Sequence, residues 1–115
     1  MEQYDLVIIQ QKESRKKSDP SQPWDKRRTE RTFIIINSNP IKNSITVCPI
    51  GTNKTSLIFD LKIQPDKENK LKYESYVWTN EIYTIRKEYI TNTLGKLSEE
   101  YIVKLKFLIK KYLSL

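Results

Sequence analysis

The sequence predicts a mainly β domain, five to seven antiparallel strands bent into a small, half-open barrel, closed off by a C-terminal helix. Three observations predict it. Short runs of β-branched and aromatic residues recur from Leu6 to Ile85, separated by polar, turn-forming stretches. Leu57, Phe59, Leu61 and Ile63 alternate with polar or outward-facing neighbours, the period of a strand with one buried face. From Ser98 onward the apolar period changes to that of a helix.

Taken in order, Leu6-Val7-Ile8-Ile9 reads as a first strand. Gln10 to Arg31 is a long polar segment with Pro20 and Pro23, and a loop of that length is functional or disordered. Thr32 to Asn37 is a second strand, and its uninterrupted Phe33-Ile34-Ile35-Ile36 run fits burial on both faces. Ser38-Asn39-Pro40 and Lys42-Asn43 are turn chemistry. Ile45 to Ile50 is a third strand, with Pro49 marking an edge, a bulge or the strand end. Gly51 to Thr55 is a polar turn. Ser56 to Ile63 is expected as a fourth strand, and Gln64 to Lys72 as a loop. Glu74 to Thr79 is a fifth strand, and Ile82 to Ile85 a short extended piece. Arg86 to Leu94 is read as a turn of helix leading to a last short strand. Ser98 is placed as the N-cap of the helix, with Leu97 and Ile102 as a staple and Glu99 and Glu100 in the first turn. Tyr101, Leu105, Leu108, Tyr112 and Leu115 form its apolar face, flanked by Ile102, Ile109 and Leu113. Lys104, Lys106, Lys110 and Lys111 lie outside that face as a solvated surface.

At 115 residues the chain, 1–115, is expected to be one domain with one modest core. Lys and Arg number 21 against 14 Asp and Glu, a net charge of +7. That excess favours a polyanionic partner, nucleic acid first, then an acidic protein, then an anionic membrane surface. The lone Cys48 excludes an internal disulfide and fits a reducing compartment. There is no histidine, which removes the commonest general acid–base, most zinc sites and every Ser-His triad. The apolar runs are too short to span a bilayer, and the N-terminus does not read as a signal peptide. The expectation is a cytoplasmic protein with no metal, no cofactor and no membrane association.

Arg27, Arg28 and Arg31 cluster where the long loop enters the second strand. One reading is a solvated loop margin. The other is that a central strand holds guanidinium groups at a fixed place, where their planar forks match phosphate oxygens. Cleaving RNA without histidine requires stabilisation of the phosphorane, a task that suits arginine, with proton transfer left to Glu, Lys, Tyr or an unusual arginine. Glu30 and Arg31 meet Thr52 if the Gly51 turn lies beside the strand entrance. Trp24 either pins the loop onto the core or stacks on a base. Tyr76, Trp78 and Tyr83, interleaved with Arg86, Lys87, Lys70 and Lys72, either cover the sheet or stack single-stranded nucleic acid.

The ordered pattern resembles the MazF/PemK toxins of type II toxin–antitoxin systems. In that family a first strand and a long loop lead to Arg-Pro and a Val/Ile run; here Arg31-Thr32-Phe33-Ile34-Ile35-Ile36-Asn37 stands in that place. Val47-Cys48-Pro49-Ile50-Gly51-Thr52-Asn53 corresponds to the strand and turn that carry the family's hydroxyl residue. The stretch from Ser75 to Ile90 resembles the segment ending in a Gln-Ile-Arg-Thr-Ile-Asp-Lys type run, and Leu94-Gly95-Lys96-Leu97-Ser98 with the helix resembles its Gly-Lys-Leu-Ser close.

The resemblance implies an SH3-like barrel, a homodimer, and an endoribonuclease that cuts single-stranded RNA without metal through attack by the adjacent 2′-hydroxyl. It implies an acidic antitoxin as partner. Carried over by position, Arg31 and Thr52 are the candidate catalytic residues, although a gapless reading puts Gly51 at the family's threonine. Trp24, Arg27, Arg28 and Lys54 are the candidate nucleic-acid-binding residues. The chain departs from the pattern at Thr32, which replaces the proline, at Asp25 to Glu30, which replace a glycine-rich acidic loop, and at Arg86, which replaces the late aspartate. Arg27 and Arg28 are therefore second candidates for the phosphate role. The alternative function is a non-catalytic nucleic-acid-binding or partner-inhibiting protein of the same fold, like the gyrase-directed toxins.

Overall fold

The computed structural model describes residues 2–10, 30–39 and 41–114. Within them the chain forms strands β1 (Asp5–Gln10), β2 (Glu30–Ser38), β3 (Ser44–Gly51), β4 (Asp60–Ile63), β5 (Ser75–Trp78), β6 (Tyr83–Arg86) and β7 (Ile90–Lys96), then helix α1 (Glu99–Leu113). All seven strands belong to one antiparallel sheet in the order β4-β5-β3-β2-β1-β7, with β6 also on β3.

The outer edge of β3 is divided between two partners. Ser44 to Val47 pair with β6, whereas Ile50 and Gly51 pair with β5. Register shifts between Ile35 and Asn37 on β2, and at two places along β1 against β7, add to the bend. The sheet curls enough to bury both of its faces. Leu6, Ile34, Cys48 and Ile50 pack with Leu61, Ile63, Val77, Leu97 and Leu105 on one face. Val7, Ile9, Phe33, Ile35, Ile45, Val47 and Ile85 pack on the other. This is why the second strand reads as an unbroken apolar run: successive side chains enter opposite cores.

The barrel is completed by the β4–β5 loop. Asn69 is fully buried there; its side-chain N–H donates to the Gln64 carbonyl (3.0 Å), and its Oδ1 accepts from the Asp66 and Leu71 amides (3.1 and 3.0 Å). The Asp66 carboxylate in turn accepts from the Glu68 and Asn69 amides. The loop then docks on β7, where the Lys96 amide donates to the Glu68 carbonyl at 3.0 Å. Gly95 permits that approach, since a Cβ there would fall 2.3 Å from the same carbonyl oxygen.

Two expectations are corrected. The fourth strand covers only Asp60–Ile63, and Leu57 is 91% exposed rather than on the buried face. Asp60 Oδ2 accepts from the Ser56 amide (2.9 Å) and also from the Thr55 amide, and Ser56 Oγ accepts from the Ile58 and Phe59 amides. Such local side-chain bonds compete with a ladder and fold the segment into turns. Arg86 to Leu94 holds the expected turn of helix, a 3-10 turn at Lys87–Tyr89, and the expected last strand, β7, which extends to Lys96. The second correction concerns the helix: Tyr112 and Leu113 are exposed, because it runs on past the core that holds Leu105; Tyr112 instead stands edge-on to Phe59, with centroids 5.4 Å apart. Ser98 is the N-cap as expected, but its side chain makes no capping bond and only its carbonyl serves the first turn. Leu115 lies outside the described residues.

Candidate nucleic-acid site

The strands deliver the candidate residues by register. Thr32 pairs with Ile50, so continuing the ladder sets Arg31 level with Gly51 and Glu30 level with Thr52. A cavity of about 350 Å³ opens at this end of the barrel. Its polar wall holds Glu30, Arg31, Thr32 and Thr52; Ile8, Ile50, Leu71 and Leu94 give it an apolar floor. Lys70 and Lys72 line it from the β4–β5 loop, together with Tyr73 and Ser75. Sequence alone groups these two lysines with Tyr76, Trp78 and Tyr83. It is the closure of the loop on β7 that brings them to the cavity Arg31 lines, a long-range event without a local signal.

Arg31 shares the strand face of Phe33 and Ile35. Its guanidinium carbon stands 5.6 Å from the ring centroid of Trp78, within the range of a cation–π contact. Trp78 ends β5. Its indole N–H donates to the Asn53 carbonyl at 2.9 Å, and its ring lies against Gly51, where a Cβ would fall 2.6 Å from Cζ2. Position 51 therefore has no room for a side chain beside the indole; of the two hydroxyls in this turn, that of Thr55 donates to Asp60 Oδ1 (3.1 Å), and Thr52 carries the other. Thr52 and Lys54 are exposed; Lys54 is outside the cavity lining. Trp24, Arg27 and Arg28 lie outside the described residues.

Tyr83 adds a neutral hydroxyl near the arginine. Burial, then its hydrogen bond to Glu81 (3.0 Å), pushes the phenol up to about 12, against the opposing pull of Arg31. It is a donor at neutral pH and no base. Burial, with Glu81 behind it, likewise pushes the Cys48 thiol up to about 12, so Cys48 is a core residue without nucleophilic character. Of the aromatic and basic group expected as a stacking surface, Trp78 presents its ring to Arg31, Arg86 pairs with Glu88 (3.3 Å), and Lys87 Nζ donates to the Asn39 carbonyl (3.0 Å).

Comparison with known proteins places this fold. A family model described as PemK-like, MazF-like toxin of type II toxin–antitoxin system matches residues 3–113. No curated protein matches the sequence. Among solved structures, Mycobacterium tuberculosis toxin MazF-mt6 superimposes with a TM-score of 0.72 at 18% identity, over 96% of this chain and 97% of that one. MazF from Deinococcus radiodurans gives 0.73 at 11% identity, over 100% and 97%. An endoribonuclease in complex with its cognate antitoxin, from a mycobacterial species, gives 0.71 at 13% identity, over 98% and 94%. At these identities the structures establish the barrel fold, and the family model spans nearly the whole chain: the protein belongs to the PemK-like, MazF-like toxins of type II toxin–antitoxin systems.

Proposed function

We propose that the protein is an endoribonuclease toxin that cleaves single-stranded RNA without metal. The observation that carries the reading is that Arg31, on β2, and Thr52, in the turn after β3, both line one cavity that Lys70 and Lys72 also line. In the reaction the 2′-hydroxyl attacks the adjacent phosphorus, the bond to the 5′-oxygen breaks, and a 2′,3′-cyclic phosphate and a 5′-hydroxyl result. Arg31 stabilises the charge that builds on the equatorial oxygens. Thr52 orients the scissile phosphate through its hydroxyl. Glu30, which lines the same cavity, takes the 2′ proton, and the leaving 5′-oxygen receives it back. Lys54, Lys70 and Lys72 neutralise flanking phosphates, with Trp24, Arg27 and Arg28 completing the RNA surface.

The partners follow from charge and exposed apolar area. The basic cavity rim suits an acidic antitoxin, in keeping with the net charge of +7. A groove of Leu61, Val103, Phe107 and Leu108 lies on the outer side of α1, where Val103 is 60% and Phe107 64% exposed. We assign it to the homodimer, which would remove these side chains from water.

The test is incubation of the purified protein with mixed single-stranded RNA in EDTA. Fragments ending in cyclic phosphate, lost in Arg31→Ala and reduced in Thr52→Val, support the reading. Arg31→Ala cleaving at the wild-type rate would refute the role of Arg31. Intact RNA in the presence of well-folded protein would turn the function toward binding or partner inhibition.

A further inference from the structure

Trp78 touches both halves of the site yet lines no part of the cavity. Three contacts of different kinds meet on this one side chain. The ring supports the Arg31 guanidinium at 5.6 Å. The ring edge sits on Gly51, the last residue of β3. The indole N–H holds the Asn53 carbonyl, one residue beyond Thr52. Across the β4–β5 ladder Trp78 is paired with Asp60, whose carboxylate grips the other end of the same turn at Thr55 and Ser56. The turn from Thr52 is thus held at both ends by a single cross-strand pair, one partner donating and the other accepting.

We infer that Trp78 is a positioning residue that fixes the Arg31 guanidinium and the Thr52 turn relative to one another. The inference rests on the ribonuclease reading for its catalytic consequence, although the brace itself is a matter of geometry. Arg31 is on β2 and Thr52 in the turn after β3, and each has an element of freedom: a long flexible side chain in one case, a turn in the other. An active constellation tolerates little play between such groups. A rigid indole that contacts one and hydrogen-bonds the backbone next to the other, at Asn53, removes that play. The role differs from base stacking, because the N–H is committed to Asn53 and a cation already lies over the ring.

Two variants separate the contacts. Trp78→Phe keeps a ring for Arg31 and loses the N–H; Trp78→Leu loses both. The readouts are the single-turnover cleavage rate, RNA affinity, NMR ring-current shifts of the Arg31 side-chain protons, and hydrogen exchange of the amides around Asn53, with thermal melting to check folding. Trp78→Phe is expected to cleave about tenfold more slowly at unchanged RNA affinity, as loosened geometry costs rate rather than binding. The Arg31 shifts should persist while exchange in the turn accelerates. In Trp78→Leu the shifts should vanish and the rate approach that of Arg31→Ala. A folded Trp78→Leu that cleaves within twofold of wild type overturns the inference. If the wild-type protein leaves RNA intact, the ribonuclease reading fails, and the spectra alone decide the brace: unshifted Arg31 protons in wild type, or turn exchange indifferent to Trp78→Phe, overturns it.

Discussion

Replacing Gly95 by alanine sets two known effects against each other. Gly95 does not have a positive φ, so alanine fits the backbone. On that ground alone the change should stabilise by about 0.4–1 kcal/mol, through a less flexible unfolded chain. The new Cβ, however, would lie 2.3 Å from the Glu68 carbonyl oxygen and 2.8 Å from the carbonyl carbon and oxygen of Asn69. The loop must retreat by about 0.7 Å merely to restore a 3.0 Å contact. What must move is backbone, not the end of a side chain, and Asn69 behind it is fully buried. Overpacking of this kind costs about 1–3 kcal/mol. Loss of the bond from the Lys96 amide to the Glu68 carbonyl adds about 1 kcal/mol. The clash therefore wins, and Gly95→Ala is expected to destabilise by about 2 kcal/mol, or about 8 °C in Tm for a chain of this length. Urea unfolding with the m-value held fixed measures it. Unchanged or increased stability would refute the close docking of this loop on β7. The same variant should weaken RNA binding, since Lys70 and Lys72 ride on the displaced loop.

Other outcomes follow from features already described. Asn69→Ala removes a buried side chain that serves three backbone groups, and should cost about 3 kcal/mol in denaturant unfolding. The Cys48 thiol should resist alkylation at pH 8 in the folded protein and react at once in denaturant; equal rates would place it at the surface. Tyr83 and Cys48 both have folded pKa values above their ordinary ones, so the stability they contribute is intact below about pH 9 and falls as pH rises toward 12. Tyr83→Phe should flatten the upper part of that fall in a pH series of urea midpoints. Phe107→Glu should convert a dimer to a monomer by light scattering while leaving the circular dichroism spectrum unchanged.

Much of the barrel is legible in the sequence, and the parts that are not share a physical cause. The strands at Leu6–Ile9, Thr32–Asn37 and Ile45–Ile50 announce themselves because each is buried by the sheet itself, and propensity and burial agree there. The run from Leu57 to Ile63 alternates correctly, yet its first half is not strand. There the side chains of Ser56 and Asp60 offer the backbone nearer partners than another strand could. The candidate site is half legible. Arg31 and Thr52 can be named from pattern, and Thr32 opposite Ile50 brings their strands together. Lys70, Lys72 and Trp78 cannot be placed from sequence, because each reaches the site through a pairing far along the chain. Their positions depend on Gly95 and on the Asp60–Trp78 pair, neither of which marks its partner in the local sequence.

The divided edge of β3 has a consequence for synthesis. Half of that edge waits for Tyr83 to Arg86 and the other half for Ser75 to Trp78, while β1 waits for Ile90 to Lys96. A ribosome that has released only the first 70 residues has already exposed both Arg31 and Thr52, yet their strands lack the flanking partners that shape the barrel. Pairing over such distances along the chain is slow to form. From Thr52 until Lys96 has been made, the nascent chain thus carries both candidate site residues without the strands that frame them. The closed barrel can form only once the last third of the chain has emerged.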